Sequence, residues 1–266
     1  MRALVLAAVA TALALASGAA FPAPERPARL LQVEVVGRVP HDAAAFTQGL
    51  VFSAGRLYES TGLYGSSTLR ELDPRTGRVL RRRALSPRLF GEGLAAVGPR
   101  LVQLTWKEGV AEVWDARRLR RERRFRYAGE GWGLCYDGRR LVQSDGSARL
   151  TFRDPATFAV RGGVEVRLDR SFVRLGLVPG PVRNLNELEC AGGAVYANVW
   201  KTDAVLVIDP RTGRVDAVVD ASALPRPRLD PAEDVLNGIA FDPAQRTFLL
   251  TGKRWPWLYR VRFVSR

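Results

Sequence analysis

A short motif recurs five times along this chain, and each copy opens a unit of the same kind: FTQGL at Phe46, FGEGL at Phe90, EGWGL at Glu130, LNELE at Leu185 and VLNGI at Val235. After each comes an apolar run of strand type, RLYEST, RLVQLTW, RLVQSDG, AVYANVW or TFLLTGK, and then an alternating stretch such as TLRELDPRTG or VLVIDPRTG. Each unit therefore reads as a small antiparallel sheet. Strand-built repeats of roughly 40 residues are the pattern of propeller blades, because one such sheet cannot bury both faces unless it stacks on copies of itself. On the fourth motif position the steps are 44 from Gly49 to Gly93, 40 to Gly133, 55 to Leu188 and 50 to Gly238. The two long steps hold Pro-rich, polar insertions at 167–184 and 224–234, read as loops and as covers for a site.

The fifth unit has only three strand-like stretches before the sequence stops, whereas residues 31–39 alternate well and belong to no unit. The expected fold is all-β, a five-bladed β-propeller closed by residues 31–39 pairing beside 259–263, which leaves no long exposed sheet edge. Residues 1–20 have a basic second residue, an apolar stretch and small residues before Phe21, the pattern of a secretory signal peptide. Residues 21–30 form a flexible lead, and 31–266 a single domain. Export to the periplasm or the medium follows as an expectation, with no membrane span, since the apolar run is short for one.

The formal charge is +14, and 38 of the 41 basic residues are arginine. They cluster in turns and outer strands (RRR at 81–83, RRLRRERRFR at 117–126) rather than interleaving with aromatics on one face, so nucleic acid is not an expected partner. Only weak, salt-sensitive attraction to anionic surfaces is expected, and the protein is expected to be a monomer. Cys135 and Cys190 follow the third and fourth motifs at equivalent places, which suits either a disulfide between neighbouring blades or two buried thiols. His41 is the only histidine and precedes the first motif. A His-based zinc site, a Ser-His-Asp triad and a Cys-His pair all need imidazole at the chemistry, so carboxylates, amides, lysine or indoles must do any catalysis here.

First residues of a blade's innermost strand gather at one mouth of the channel. The third motif positions are Gln48, Glu92, Trp132, Glu187 and Asn237, five different groups where a purely structural position would repeat its residue. That diversity points to a site assembled from all units. Ends of the second strands add Glu59, Trp106, Asp145, Asn198 with Trp200, and Lys253. Lys201 and Lys253 are two of only three lysines in an arginine-dominated chain, a mild sign that a compact ammonium is wanted there.

Taken in order, FTQGL, YESTG, FGEGL, LTWKEG, GWGL, SDGSARL, LNELE, YANVW, LNGIAFD and TGKRWPWLY resemble the plant and bacterial type of glutaminyl-peptide cyclotransferase (glutamine cyclotransferase), over residues 46–259. The insertion at 167–184 and the two cysteines depart from that pattern. The resemblance implies a five-bladed propeller that converts N-terminal glutamine of peptides to pyroglutamate with release of ammonia, without a catalytic metal. Peptides or proteins beginning with Gln are then the partners, no cofactor is required, and a structural divalent ion in the channel is left open. For that reaction Glu92 is the expected general base and acid, ahead of Glu187. Gln48, Glu187, Trp106, Trp132 and Trp200 are expected to bind substrate, and Asn186, Lys253 and the indole N–H groups to supply oxyanion donors. Two other readings stay open: a calcium-dependent, lactonase-like propeller hydrolase with Glu92, Asn186, Glu187 and Asn237 as ligands, and a noncatalytic binding propeller.

Overall fold

The computed structural model describes residues 27–227, 230 and 233–265. The expected signal peptide and most of the expected lead lie outside these residues. Chain order begins with β1 (Arg29–Pro40), two residues ahead of the segment expected to form a strand. Three four-stranded antiparallel meanders follow. The first is β2 (Thr47–Ser53), β3 (Arg56–Thr61), β4 (Thr68–Leu72) and β5 (Val79–Ala84). The second is β6 (Gly91–Val97), β7 (Arg100–Thr105), β8 (Val110–Asp115) and β9 (Arg120–Arg126). The third is β10 (Leu134–Tyr136), β11 (Leu141–Gln143), β12 (Arg149–Arg153) and β13 (Val160–Glu165).

The 167–184 insertion forms a two-stranded ribbon of β14 (Arg167–Leu168) and β15 (Gly180–Pro181), with a single 3-10 turn at Val173–Leu175. Then come β16 (Leu185–Ala191), β17 (Ala194–Val199), β18 (Ala204–Ile208) and β19 (Val215–Asp220), and finally β20 (Leu236–Asp242), β21 (Thr247–Gly252) and β22 (Trp257–Ser265). β1 pairs antiparallel with β22 from Leu31↔Ser265 to Pro40↔Trp257, the pairing the unassigned N-terminal stretch led us to expect. It also pairs in parallel with the edge of β19, Arg29↔Ala217 to Gln32↔Asp220. That second contact was not foreseen. It fuses the last two units into one eight-stranded sheet, because an open strand edge is a row of unpaired N–H and C=O groups that another strand can satisfy.

Burial along each unit explains the order of its strands. First strands β2, β6, β16 and β20 are buried on both faces near their motifs, while the last strands β5 and β9 are almost wholly exposed and carry the arginine runs. β2 lies beside β6 and β20, β6 beside β10, β10 beside β16, and β16 beside β20, so the first strands close a ring. Glycine permits the approach: a Cβ on Gly133 would sit 2.0 Å from the Asn186 carbonyl oxygen. Between units run apolar seams such as Leu69, Leu94, Leu101 and Trp114, or Leu150, Leu188, Val195 and Leu206. Cys135 and Cys190 form a disulfide between β10 and β16 with Cα atoms 5.4 Å apart, so these two first strands are close enough to be bridged.

The candidate active site

Glu92 opens a cavity of about 290 Å³ at one end of the ring, lined also by Phe46, Gln48, Leu63, Phe90, Trp106, Trp132, Asn186, Trp200, Glu233 and Lys253. Of the eight residues expected to act on the substrate, all but Glu187 are in this wall. A larger depression of about 430 Å³ lies elsewhere, between β1 and the 170–175 segment, and gathers arginines and aliphatic side chains without any carboxylate–lysine set.

The opening motifs place these groups through a shared irregularity. In four of them the register slips within the motif, between Thr47 and Gly49, Gly91 and Leu94, Leu185 and Leu188, and Leu236 and Ile239. A bulge sets two residues against one and re-aims a side chain toward the strand end. Gln48 and Glu92 reach the cavity from such bulges, and Trp132 reaches it from just ahead of β10, where no slip occurs. In the fourth unit the neighbouring residue, Asn186, does so instead.

Glu187 is the correction. It is fully buried outside the cavity wall, and its carboxylate accepts the backbone N–H groups of Leu50 (3.2 Å) and Ile239 (2.7 Å), tying β16 to β2 and β20. Asn237 is likewise behind the wall, where its amide donates to the Thr47 carbonyl and to Gln48 Oε1, both at 2.9 Å. Glu59 turns away to pair with His41, and Asn198 Oδ1 accepts the Gly238 N–H. With Glu187 and Asn237 committed, the imagined calcium set does not assemble. Among the described residues no group of three or more His, Cys, Asp or Glu is arranged to hold a metal ion.

Glu92 Oε1 accepts a 2.7 Å hydrogen bond from Gln48 Nε2, and Asn237 fixes the amide of Gln48 from behind. Burial pushes the Glu92 carboxyl well above the usual carboxylate range; Lys253 pulls it back, while the charges of Glu108 and Glu130 push the same way as burial. Burial also lowers Lys253, opposed by Glu92 and Glu233. Its Nζ lies 4.7 Å from the centre of the Phe46 ring. The site thus holds an acid and an amine, each with its charged form disfavoured.

Aromatic rings build the walls. Phe46 meets Phe90 edge-on at 6.1 Å and Phe90 meets Trp106 at 5.5 Å, while Trp132 and Trp200 meet edge-on at 5.7 Å. Glu130 Oε2 accepts both indole N–H groups, from Trp106 at 2.8 Å and Trp132 at 2.9 Å. Those two indoles are therefore spoken for, and they drop out as oxyanion donors. Gly146, at φ +79°, lies under Trp132, where a Cβ would come within 2.7 Å of the ring.

Phe46, Phe90 and Glu130 also build the site, and all three are first residues of opening motifs, a position the variation at the third residue does not mark. Glu233 comes from the Pro-rich 224–234 insertion, whose composition suits a cover. Nothing in the sequence marks Leu63.

A family model described as glutamine cyclotransferase matches residues 4–263. A glutaminyl-peptide cyclotransferase of Arabidopsis thaliana is 40% identical over 239 residues, covering 88% of this chain and 72% of that protein. The crystal structure of Myxococcus xanthus glutaminyl cyclase superposes with a TM-score of 0.82 at 44% identity, covering 91% of this chain and 100% of the other.

Proposed function

The chain belongs to the glutamine cyclotransferase family and is an enzyme of glutaminyl cyclase type, and from that premise we propose that Glu92 moves the protons its reaction requires. The substrate is a peptide or protein with N-terminal glutamine. Its α-amine attacks the carbon of its own side-chain amide, so nucleophile and electrophile arrive already joined and the enzyme need only fold them together. A C–N bond forms and the carbonyl oxygen takes up negative charge. Ionised Glu92 accepts the proton that the attacking amine sheds, then returns it to the departing nitrogen as the second C–N bond breaks, releasing ammonia and the pyroglutamyl peptide. One carboxyl serves as base and then as acid, and an elevated pKa suits both halves of that cycle.

Asn186 and Lys253 are the donors for the oxyanion, and loss of one such donor costs about 2.7–4 kcal/mol of transition-state stabilisation. Gln48 holds Glu92 and orients it. Trp132 and Trp200 pack on the glutaminyl stem, and only that first residue needs to enter a space of about 290 Å³. Residues beyond it lie across the rim, so broad peptide tolerance is expected. The reading places catalysis on this chain's own side chains, with no cofactor required.

The ring of five first strands is read as five propeller blades, the fifth completed by β1, in one domain acting as an exported monomer. The observation that carries the proposal is a single buried carboxyl, Glu92, facing a void walled by aromatics and a lysine. Ammonia release from a Gln-initiated peptide, by the native protein and by Glu92→Gln, tests it. Equal rates would remove Glu92 from the chemistry.

A further inference from the structure

His41 is the only histidine of the chain, is buried, and lies outside the cavity, yet both its ring nitrogens are engaged. Nδ1 is 2.8 Å from the Trp255 carbonyl oxygen and Nε2 is 2.8 Å from Glu59 Oε1. Both partners are acceptors. A neutral imidazole has one N–H and would turn a lone pair toward one of these oxygens; only the imidazolium donates to both.

The surroundings fit that form. Glu59, on β3, is fully buried and also accepts from Thr47 Oγ1 at 2.8 Å. Arg70, on β4, is 3.6 Å from Glu59 and forms its closer ion pair, 2.9 Å, with Asp42 beside the histidine. The 253–256 segment presents to the ring the Trp255 carbonyl. Glu59 raises the histidine above its ordinary value against the opposing effects of burial and Arg70, and the same pairing lowers Glu59.

Two segments meet here. His41 N–H donates to the Pro256 carbonyl at 2.9 Å and Arg254 N–H to the Ala45 carbonyl at 2.7 Å, so residues 41–46 and 253–256 are stitched side by side with the imidazole in the seam. Phe46 and Lys253, one at the end of each segment, are neighbours in the cavity wall. We propose that His41 is a positioning residue: as an imidazolium bridging Glu59 and the Trp255 carbonyl, it fixes the 253–256 segment and thereby the place of the Lys253 ammonium against the reacting amide. The proposal rests on Lys253 serving the reaction, and its test separates the two.

Turnover of a Gln-initiated peptide is measured for His41→Gln, Lys253→Met and the double variant. His41→Gln keeps a donor and removes the charge; kcat is expected to fall about tenfold with KM within twofold, the signature of a group needed only in the transition state. In the Lys253→Met background the same substitution is expected to change kcat by less than twofold. A similar loss in both backgrounds, or none in the first, overturns the proposal while leaving Lys253 in place. Unchanged turnover in Lys253→Met removes Lys253 from the reaction and this proposal with it. Should His41→Gln not fold, the native protein still decides: with a single histidine, nitrogen-15 spectra at pH 6 are expected to show two protonated ring nitrogens, and one neutral tautomer there overturns it.

Discussion

Glu92 and Glu187 both stand third in their motifs as the sequence is read, although strand pairing matches Glu92 to Asn186 and Glu187 to Gly93; both are buried, and burial drives both carboxyls well above the ordinary range. They differ in what faces them. Glu92 meets a side-chain amide, a lysine at a distance and open space. Glu187 meets two fixed backbone N–H groups on neighbouring strands, with Glu189 adding like charge nearby. An elevated carboxyl is therefore no signature of catalysis by itself. What separates the two is a vacant approach on one side and a saturated backbone on the other.

The largest test of that contrast is Glu92→Gln, which keeps shape and removes the proton acceptor. Turnover should fall about 100-fold or more with little change in KM, read by ammonia release. Glu187→Gln should do the reverse. A glutamine can accept one of the two backbone N–H groups and must turn its own NH2 toward the other, so urea melts should report a loss of about 1–3 kcal/mol while turnover of the folded protein stays within about threefold. The stability profile should change shape as well. Glu187's folded pKa is raised, so its contribution is fully present below the unfolded value of about 4.3 and is lost as pH rises through the folded value; the variant flattens that slope.

A third measurement follows the sign of Glu92's shift. In its proposed role as a base, Glu92 requires that activity be lost as pH falls through its raised pKa. In kcat/KM the substrate amine already gives a limb of slope one below about pH 7.7, and Glu92 should steepen it to two at a pH above the ordinary carboxylate value. Glu187→Gln should leave the steepening where it was. The smallest effect is expected from Glu130→Gln: loss of a charged acceptor shared by two indoles should cost about 1 kcal/mol, roughly fivefold in KM, and removing a like charge should move the steepening to lower pH.

The motif spacing carried the meander units, the closing pair of β1 with β22 and most of the cavity wall, because periodic burial and a repeated strand start are local signals. Glu187 was misplaced for a physical reason. The register slip falls one motif position earlier in LNELE (Leu185 to Leu188) than in FGEGL (Gly91 to Leu94), so Asn186 takes the place of Glu92, and nothing in the sequence marks that offset. The double role of Glu130 was equally hidden, since two indoles from different units converge on it only in three dimensions. The parallel contact of β1 with β19 depends on which strand edge is left open, which no segment of sequence states by itself.

The pairing of β1 with β22 also sets a timetable for synthesis. Val39 is matched with Leu258 and Leu31 with Ser265, partners more than two hundred positions apart. At about 5–20 residues per second, a ribosome delivers the second partner on the order of 10–50 seconds after the first. Through that interval the N-terminal strand is a ligand without its receptor, exposed to any other strand edge of its own chain or a neighbour's, and ring closure must be the last event of folding. Relocating the chain ends to the exposed turn at Gly98, with the old termini joined, would make that strand contiguous with its partner and let the final sheet form as an ordinary hairpin.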